Sequence, residues 1–310
     1  MRILITGARG FIGRHLAGYL SSQGHDVAGI GHGAWPDGER AAWYRGEWLN
    51  GDISSPNLDV LAGRGEMPEA IFHLAGGSAV GPSFVAPAED FHRSVVATSE
   101  LLEWVRLRAP SARVVMASSA AVYGANHSEP IAESVDCVPF SPYGYHKRMA
   151  ELVLESYARN FGVRVCVVRL FSIYGPELKK QLLWDSCNRL ATGESGLALG
   201  GDGTQLRDWL HIEDAVRILL LALNNASEEC FIVNGGTGQA TSVREIAECV
   251  CEFWGGRKSA CFTGVSRSGD PLSLVADIER LRSLGAVPHR FWRDGLLEYV
   301  RWYKSQSGIL

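Results

Sequence analysis

Tyr143 and Lys147 stand four residues apart in the stretch Ser141-Pro142-Tyr143-Gly144-Tyr145-His146-Lys147, which begins with a helix N-cap residue and a proline suited to a first helical turn. Residues four apart share one face of a helix. An ammonium beside a phenol favours the phenolate and draws its pKa down from a reference of about 10, towards the range where tyrosine exchanges protons. For an isolated pair of this kind, a surface tyrosine packed on a lysine stem is the commoner outcome. The pair is not isolated. An apolar run, Arg113 to Ala117, delivers Ser118 and Ser119 at its carboxyl end, and in open α/β sheets ligands bind at that end of the strands.

The elements that must position these groups begin at the N-terminus. Ile3, Leu4 and Ile5 read as a strand buried on both faces, and Gly7, Gly10 and Gly13 follow it. Phe11, Ile12, Leu16, Ala17 and Leu20 then recur at helical spacing up to Gly24. A glycine turn between strand and helix lets backbone N–H groups and the positive helix end approach a pyrophosphate, so the pattern points to a bound nicotinamide dinucleotide. Asp26 to Ile30 reads as the second strand, running into Gly31 and His32. NAD sites usually carry a carboxylate there for the ribose 2′-OH; here there is none, and Arg9 sits in the glycine loop. That favours NADP(H), with NAD(H) as the alternative.

A third short strand is expected to end over residues 50–53, and further strands are expected at Ala70 to Leu74 running into Ala75 and Gly76 and at Arg113 to Ala117. Helical spacing from Ala88 to Leu107 places Val95, Val96, Leu101, Leu102 and Val105 on one face, and the Tyr143 helix closes at residues 160–162. The alternation predicts a doubly wound parallel sheet of Rossmann type. Asp214 to Leu223 reads as an apolar helix and Cys230 to Val233 as a strand returning to the main sheet. Thr241 to Cys251, Asp277 to Leu284 and Gly295 to Tyr303 read as further helices. Trp35, Trp43 and Trp48 mark a loop-like stretch read as packing.

Composition excludes other classes. The 310 residues are 46% hydrophobic with a net charge of -4, enough apolar content for a large core and no basic field for nucleic acid. No apolar run reaches the roughly 18 residues of a membrane span, and no signal peptide precedes the first strand, so a cytoplasmic protein is expected. Seven scattered cysteines without CxxC pairs argue against a disulfide framework or a metal site.

Taken together, these phrases resemble the extended short-chain dehydrogenase/reductase family that acts on nucleotide sugars. The likeness rests on Thr6 to Gly13 (TGARGFIG), Gly51-Asp52-Ile53, His73-Leu74-Ala75-Gly76, Ser118 to Gly124 (SSAAVYG), Ser141 to Lys147 (SPYGYHK), Arg169 to Pro176 (RLFSIYGP) and Arg207-Asp208-Trp209, in that order over nearly the whole chain. The resemblance implies that Tyr143 is the acid/base, that Lys147 lowers its pKa and holds the nicotinamide ribose, and that Ser119 bonds the reacting sugar oxygen. Gly7, Arg9, Gly10, Phe11, Ile12, Gly13, His32, Asp52, Ile53, Leu74, Ala75 and Gly76 would bind the cofactor, with Asp52 and Ile53 beside the adenine. Ser172, Arg207 and Arg267 would meet the sugar nucleotide. It further implies a cofactor domain of residues 1–171 and 210–238, a smaller C-terminal substrate lobe of residues 172–209 and 239–310 with the cleft between them, and a homodimer.

Departures from the family pattern narrow the chemistry. The 4,6-dehydratases carry an Asp-Glu pair after the catalytic hydroxyl, where Ala120 and Ala121 stand here. Members that epimerise C3 and C5 and then reduce C4 use Cys and His where Ala120 and Glu177 stand. Two usual asparagines are Ser94 and Ser172. Chemistry at a single carbinol or ketone remains, most simply C4 of the hexose. The missing carboxylate and Arg9 lead to the expectation of an NADPH-dependent 4-ketoreductase, with a 4-epimerase that retains its cofactor as the alternative.

Overall fold

The computed structural model describes residues 1–35, 43, 46–265 and 271–309. Thirteen strands are described: β1 (Arg2–Thr6), β2 (Asp26–Gly31), β3 (Glu47–Asn50), β4 (Ala70–His73), β5 (Arg113–Ser119), β6 (Arg164–Leu170), β7 (Ser172–Tyr174), β8 (Gly196–Leu199), β9 (Leu206–His211), β10 (Phe231–Gly235), β11 (Ala240–Ser242), β12 (Ser259–Phe262) and β13 (Ser273–Leu274). Seven form the main sheet, in the order β10-β6-β5-β4-β1-β2-β3. Neighbours from β3 through β6 pair in parallel, which places their carboxyl ends along one edge of the sheet. This is the Rossmann arrangement, and β10 returns to the sheet as its sequence predicts.

The chain divides into two compact units. The first comprises Met1–Gly124, Glu133–Leu170 and Val216–Asn234. All five residues of β1 are buried, and the helix Phe11–Ser22 turns Gly13, Leu16, Ala17 and Leu20 inward. Leu4, Ile30, Ile71, Leu101, Trp104, Val114, Leu154 and Val167 join one apolar core between sheet and helices. The helix Pro142–Phe161 starts where the sequence indicates: Ser141 accepts a hydrogen bond from the Gly144 N–H, and Gly162 ends the helix at a left-handed φ of 69°.

One expectation of a regular helix is corrected. The segment expected to be continuous from Ala88 to Leu107 consists of the helix Pro87–Phe91, a π turn His92–Val96 and the helix Ala97–Arg108. The wider turn changes which residues face inward: Ser94 and Thr98 are buried, while Val95 and Val96 are only half-buried. Both hydroxyls find partners inside, which offsets the cost of burying them.

The second unit comprises Ala125–Ala132, Phe171–Ala215 and Gly235–Leu310. Its centre is β9, paired in parallel with β7 and β13 and antiparallel with β11. A separate parallel pair joins β8 and β12. Asp208 on β9 is fully buried and accepts from the Thr237 N–H and hydroxyl, the Gly238 N–H and the Ala276 N–H, fastening two loops to the strand. The helix Val243–Trp254 opens with a capping box between Ser242 and Glu245. Among the described residues no helix is long and apolar enough to cross a membrane.

Candidate active site

The glycine loop packs too closely for side chains. Gly7 has φ 71°, its N–H donates to the Ile30 carbonyl, and an added Cβ would lie 2.9 Å from the Ala75 nitrogen. A Cβ on Gly13 would stand 2.2 Å from the Gly7 carbonyl oxygen. The helix that follows has Gly10 as its N-cap, with no side-chain cap and no acidic residue in its first turn. Phe11 and Ile12 open that turn. The result is a bare, positively polarised backbone surface at the carboxyl end of β1.

Along the same sheet edge, the Arg9 guanidinium lies against Gly33 just beyond β2; a Cβ there would come within 2.3 Å of its Nη1. Its buried Nε has no hydrogen-bond partner among the described residues. His32 Nε2 meets Asp52 Oδ1 at 2.9 Å on an exposed part of the surface, and Ile53 is buried beside it in sequence. Leu74 donates its N–H to the Thr6 carbonyl, and Ala75 donates to the Thr6 hydroxyl. Gly76, at φ 137°, is the next position along the edge; a Cβ on it would be 3.3 Å from Lys147 Nζ.

Ser119, Tyr143 and Lys147 meet at the ends of β5 and the Pro142–Phe161 helix. Ser119 stands close enough to the Tyr143 phenol to lower its pKa, and Ser119 Oγ accepts from the Ala121 N–H. The Lys147 ammonium is buried and donates to the Ala117 carbonyl at 3.1 Å, with its Nζ 5.9 Å from the centre of the Tyr143 ring. The Tyr143 main-chain N–H donates to the buried Ser83 hydroxyl, which holds the start of the helix in place.

The electrostatics differ from the simple expectation of an acidic phenol. Burial raises the Tyr143 pKa, an effect that the Ser119 hydroxyl opposes and the Asp90 charge reinforces. Burial also lowers the Lys147 ammonium to about 8, although Asp90 and Glu151 pull it back up. Desolvation is the largest influence on both groups.

A shell that sequence motifs only partly reveal surrounds these residues. His73 links β4 to β1 and to the helix Ala97–Arg108, with Nδ1 2.8 Å from the Thr6 hydroxyl and Nε2 2.9 Å from the Thr98 hydroxyl. Thr98 donates to the Ser94 carbonyl, so it accepts from Nε2–H, and Nδ1 is left to accept from Thr6. Burial, then the Lys147 charge, push the His73 pKa down to about 3, so the ring is neutral. One turn beyond Lys147, the buried Glu151 accepts from Ser118, Arg148 and both Nε and Nη2 of Arg169. The Arg169 guanidinium also lies over the Tyr123 ring.

In the second unit, Ser172 opens β7 opposite Trp209 of β9. Arg207, half-buried on β9, donates from Nη1 to the Leu206 and Pro271 carbonyls, each at 2.8 Å. Those carbonyls orient the side chain towards the chain segment that precedes β13. Arg267 lies outside the described residues.

The family model described as the NAD dependent epimerase/dehydratase family matches residues 3–234. The chain belongs to this family. A UDP-glucose 4-epimerase of Azospirillum brasilense is 33% identical over 98% of this chain and 92% of its own. Among solved structures, MoeE5 in complex with UDP-glucuronic acid and NAD is 32% identical, covers 99% of this chain and 100% of its own, and superposes with a TM-score of 0.88. A UDP-glucose 4-epimerase with UDP-glucose from Thermotoga maritima is 27% identical, with a TM-score of 0.89 over 99% of this chain and 100% of its own.

The chain's own residues suit the dinucleotide of this NAD-dependent family. A Cβ at Gly7, Gly10 or Gly13 would strike the backbone of the turn itself or of residues 74–75, so only glycine lets the turn keep this tight path, and the uncapped helix start matches a pyrophosphate. The glycine motif in the sequence singles out Gly7, Gly10 and Gly13. Sequence motifs give no signal for Asp90, which reaches the site only through the folding of the Pro87–Phe91 turn.

Proposed function

We propose that the protein is a nucleotide-sugar 4-epimerase that interconverts UDP-hexoses, or their uronates, while retaining NAD(P). The observation that carries the reading is the hydroxyl pair Ser119–Tyr143 beside a buried lysine, with Ala120 and Ala121 where a dehydratase needs acids. The bound nicotinamide dinucleotide would supply a reversible hydride acceptor. Tyr143 removes the proton from the C4 hydroxyl of the sugar and returns one to the 4-keto oxygen once the sugar has presented its other face. Ser119 holds that oxygen by hydrogen bonding throughout, and Lys147 stabilises the phenolate and holds the nicotinamide ribose.

Gly7, Gly10, Phe11, Ile12 and Gly13 would hold the pyrophosphate of the cofactor. Arg9 and His32 would border its adenosine ribose, Asp52 and Ile53 its adenine, and Leu74, Ala75 and Gly76 the nicotinamide side. Ser172, Arg207 and Arg267 would contact the sugar nucleotide. The relatives named above support a UDP-sugar and an epimerisation in preference to the reductase expected from the cofactor pocket.

The reductase stands as the second reading because of one feature, Arg9 over Gly33 where no carboxylate follows β2, which suits an exchangeable NADPH. The two readings separate cleanly. Purified protein incubated with UDP-glucose, UDP-galactose or UDP-glucuronate should form the 4-epimer with no added cofactor and no net change in nicotinamide absorbance. Stoichiometric loss of NADPH with a 4-keto sugar nucleotide, and no epimer, would overturn the epimerase in favour of the reductase.

A further inference from the structure

Next to Lys147 lies a second buried pair that the proposed chemistry does not use. The Pro87–Phe91 turn presses Asp90 against the Pro142–Phe161 helix, where Asp90 Oδ2 and His146 Nδ1 are 2.6 Å apart with side chains only 8% and 12% exposed. A carboxylate only accepts, so His146 Nδ1 carries the proton and donates it. The Phe91 ring closes over the imidazole edge at 5.4 Å. The other carboxylate oxygen lies beneath Gly77: a Cβ there would come within 1.9 Å of Oδ1. Gly76, the preceding residue, faces Lys147 Nζ, and the Gly77 N–H is tied to Ser94 on the π turn. Asp90 therefore adjoins the proton-handling cluster along two routes, through His146 in the helix and through the backbone of Gly76 and Gly77.

We propose that Asp90 and His146 form a positioning pair, in which the imidazole fixes and partly screens a buried carboxylate whose field sets the proton affinity of Tyr143 and Lys147. The proposal rests on the reading of Tyr143 as the proton carrier. Other charges near the cluster are already matched. Glu151 on the same helix is bound by Arg169 and Arg148, and His73 on β4 is neutral. Glu89 and Arg93 on the preceding turn pair with each other in solvent, and His92 is exposed. On β5, Ser119 faces the phenol and carries no charge. Among the described residues of the cluster, Asp90 is the carboxylate whose partner is a single imidazole; Glu151 also raises the Lys147 pKa, whereas the charge of Asp90 raises both the Tyr143 and the Lys147 pKa.

The test reads the Tyr143 titration directly, by NMR of the full-length protein labelled at the tyrosine Cζ carbon, with the Tyr143→Phe spectrum giving the assignment. Asp90→Asn removes the charge with little change of shape and should lower the Tyr143 pKa by about one unit, the size expected for a like charge near the group. His146→Leu leaves the carboxylate without its donor and should raise it. His146→Asn keeps a donor and should restore the wild-type value. This ordered series is one that loss of packing alone does not produce. Should a single variant fail to fold, Asp90→Asn combined with His146→Asn keeps an amide pair and carries the same downward shift. A Tyr143 titration unmoved by Asp90→Asn, or displaced in the same direction by Asp90→Asn and His146→Leu, overturns the proposal. The NMR series decides the pair, whereas turnover by Tyr143→Phe decides the reading beneath it.

Discussion

Two buried carboxylates, one in each unit, are satisfied in opposite ways. Glu151 in the first unit is held by two arginines and a serine hydroxyl. Asp208 in the second meets no cation in its hydrogen-bond set, only three backbone N–H groups and one threonine hydroxyl. Burial raises the Asp208 pKa in spite of those four donors. At Arg169 burial opposes the charge, but the hydrogen bonds and attraction of Glu151 win and hold the guanidinium firmly protonated. The first unit therefore balances charge locally around its candidate catalytic residues, and the second uses a charge to tie loops to a strand. Acid–base chemistry is served by the former: Glu151, one helical turn from Lys147, raises the ammonium pKa even when paired, and unpaired its charge would act more strongly on the proton affinities nearby.

The comparison is sharpened most by catalysis. Tyr143→Phe keeps the ring but removes the ionisable oxygen, so turnover should fall by about 10²- to 10⁴-fold with cofactor affinity little changed. Steady-state kinetics beside a cofactor titration check both halves of that statement. Breaking each carboxylate tests the contrast itself. Glu151→Gln leaves buried guanidinium charge unmatched and should cost about 3–5 kcal/mol. Asp208→Asn turns an amide towards N–H donors and should cost less, about 1–3 kcal/mol. Urea unfolding of the two variants in parallel gives the ranking, and a larger loss for Asp208→Asn would break the comparison.

The next effect is pH-dependent. Burial lowers the Lys147 ammonium from its ordinary 10.5 to about 8, so between those values the unfolded chain binds more protons than the folded one. Stability from this group therefore rises with pH across that window, and below it the penalty is present in full, up to about 3 kcal/mol. Lys147→Met should be the more stable protein at neutral pH, with the difference shrinking as pH rises towards 10.5. Unfolding curves collected across the window that show a constant difference would refute this.

Smaller effects are expected in binding. Arg207→Met should weaken UDP binding by about 1.5–3 kcal/mol, the loss of a charge-assisted contact, while NAD binding stays as it was. Calorimetry with UDP alone is the measurement. Smallest of all, Arg9→Ala should reduce any preference for NADPH over NADH by at most about fivefold, the scale of a solvent-accessible ion pair. Fluorescence titration of both reduced cofactors would show it, and an unchanged ratio would remove Arg9 from the adenosine ribose.

Features governed by local conformation were legible in the sequence. The run Ile3 to Ile5, the glycine turn and the Ser141-Pro142 start each depend on neighbours a few residues away, and the structure has them where the sequence indicates. The π turn was not legible. Val95 and Val96 look like core positions of a regular helix, but Ser94 bonds to Gly77 and Thr98 to His73, partners 17 and 25 residues distant, and the turn widens to meet them. Asp90 and His146, 56 residues apart, gave no sign of each other for the same reason.

From the sequence alone came the succession of elements, the positions where only glycine fits, and the residue types able to move a proton. Tertiary structure alone decided their proton affinities. Spacing suggests that Lys147 makes Tyr143 more acidic; packing instead raises the phenol and lowers the ammonium, because strands and turns remote in the chain exclude water from both. Desolvation depends on everything that surrounds a group, and no stretch of sequence contains its own surroundings.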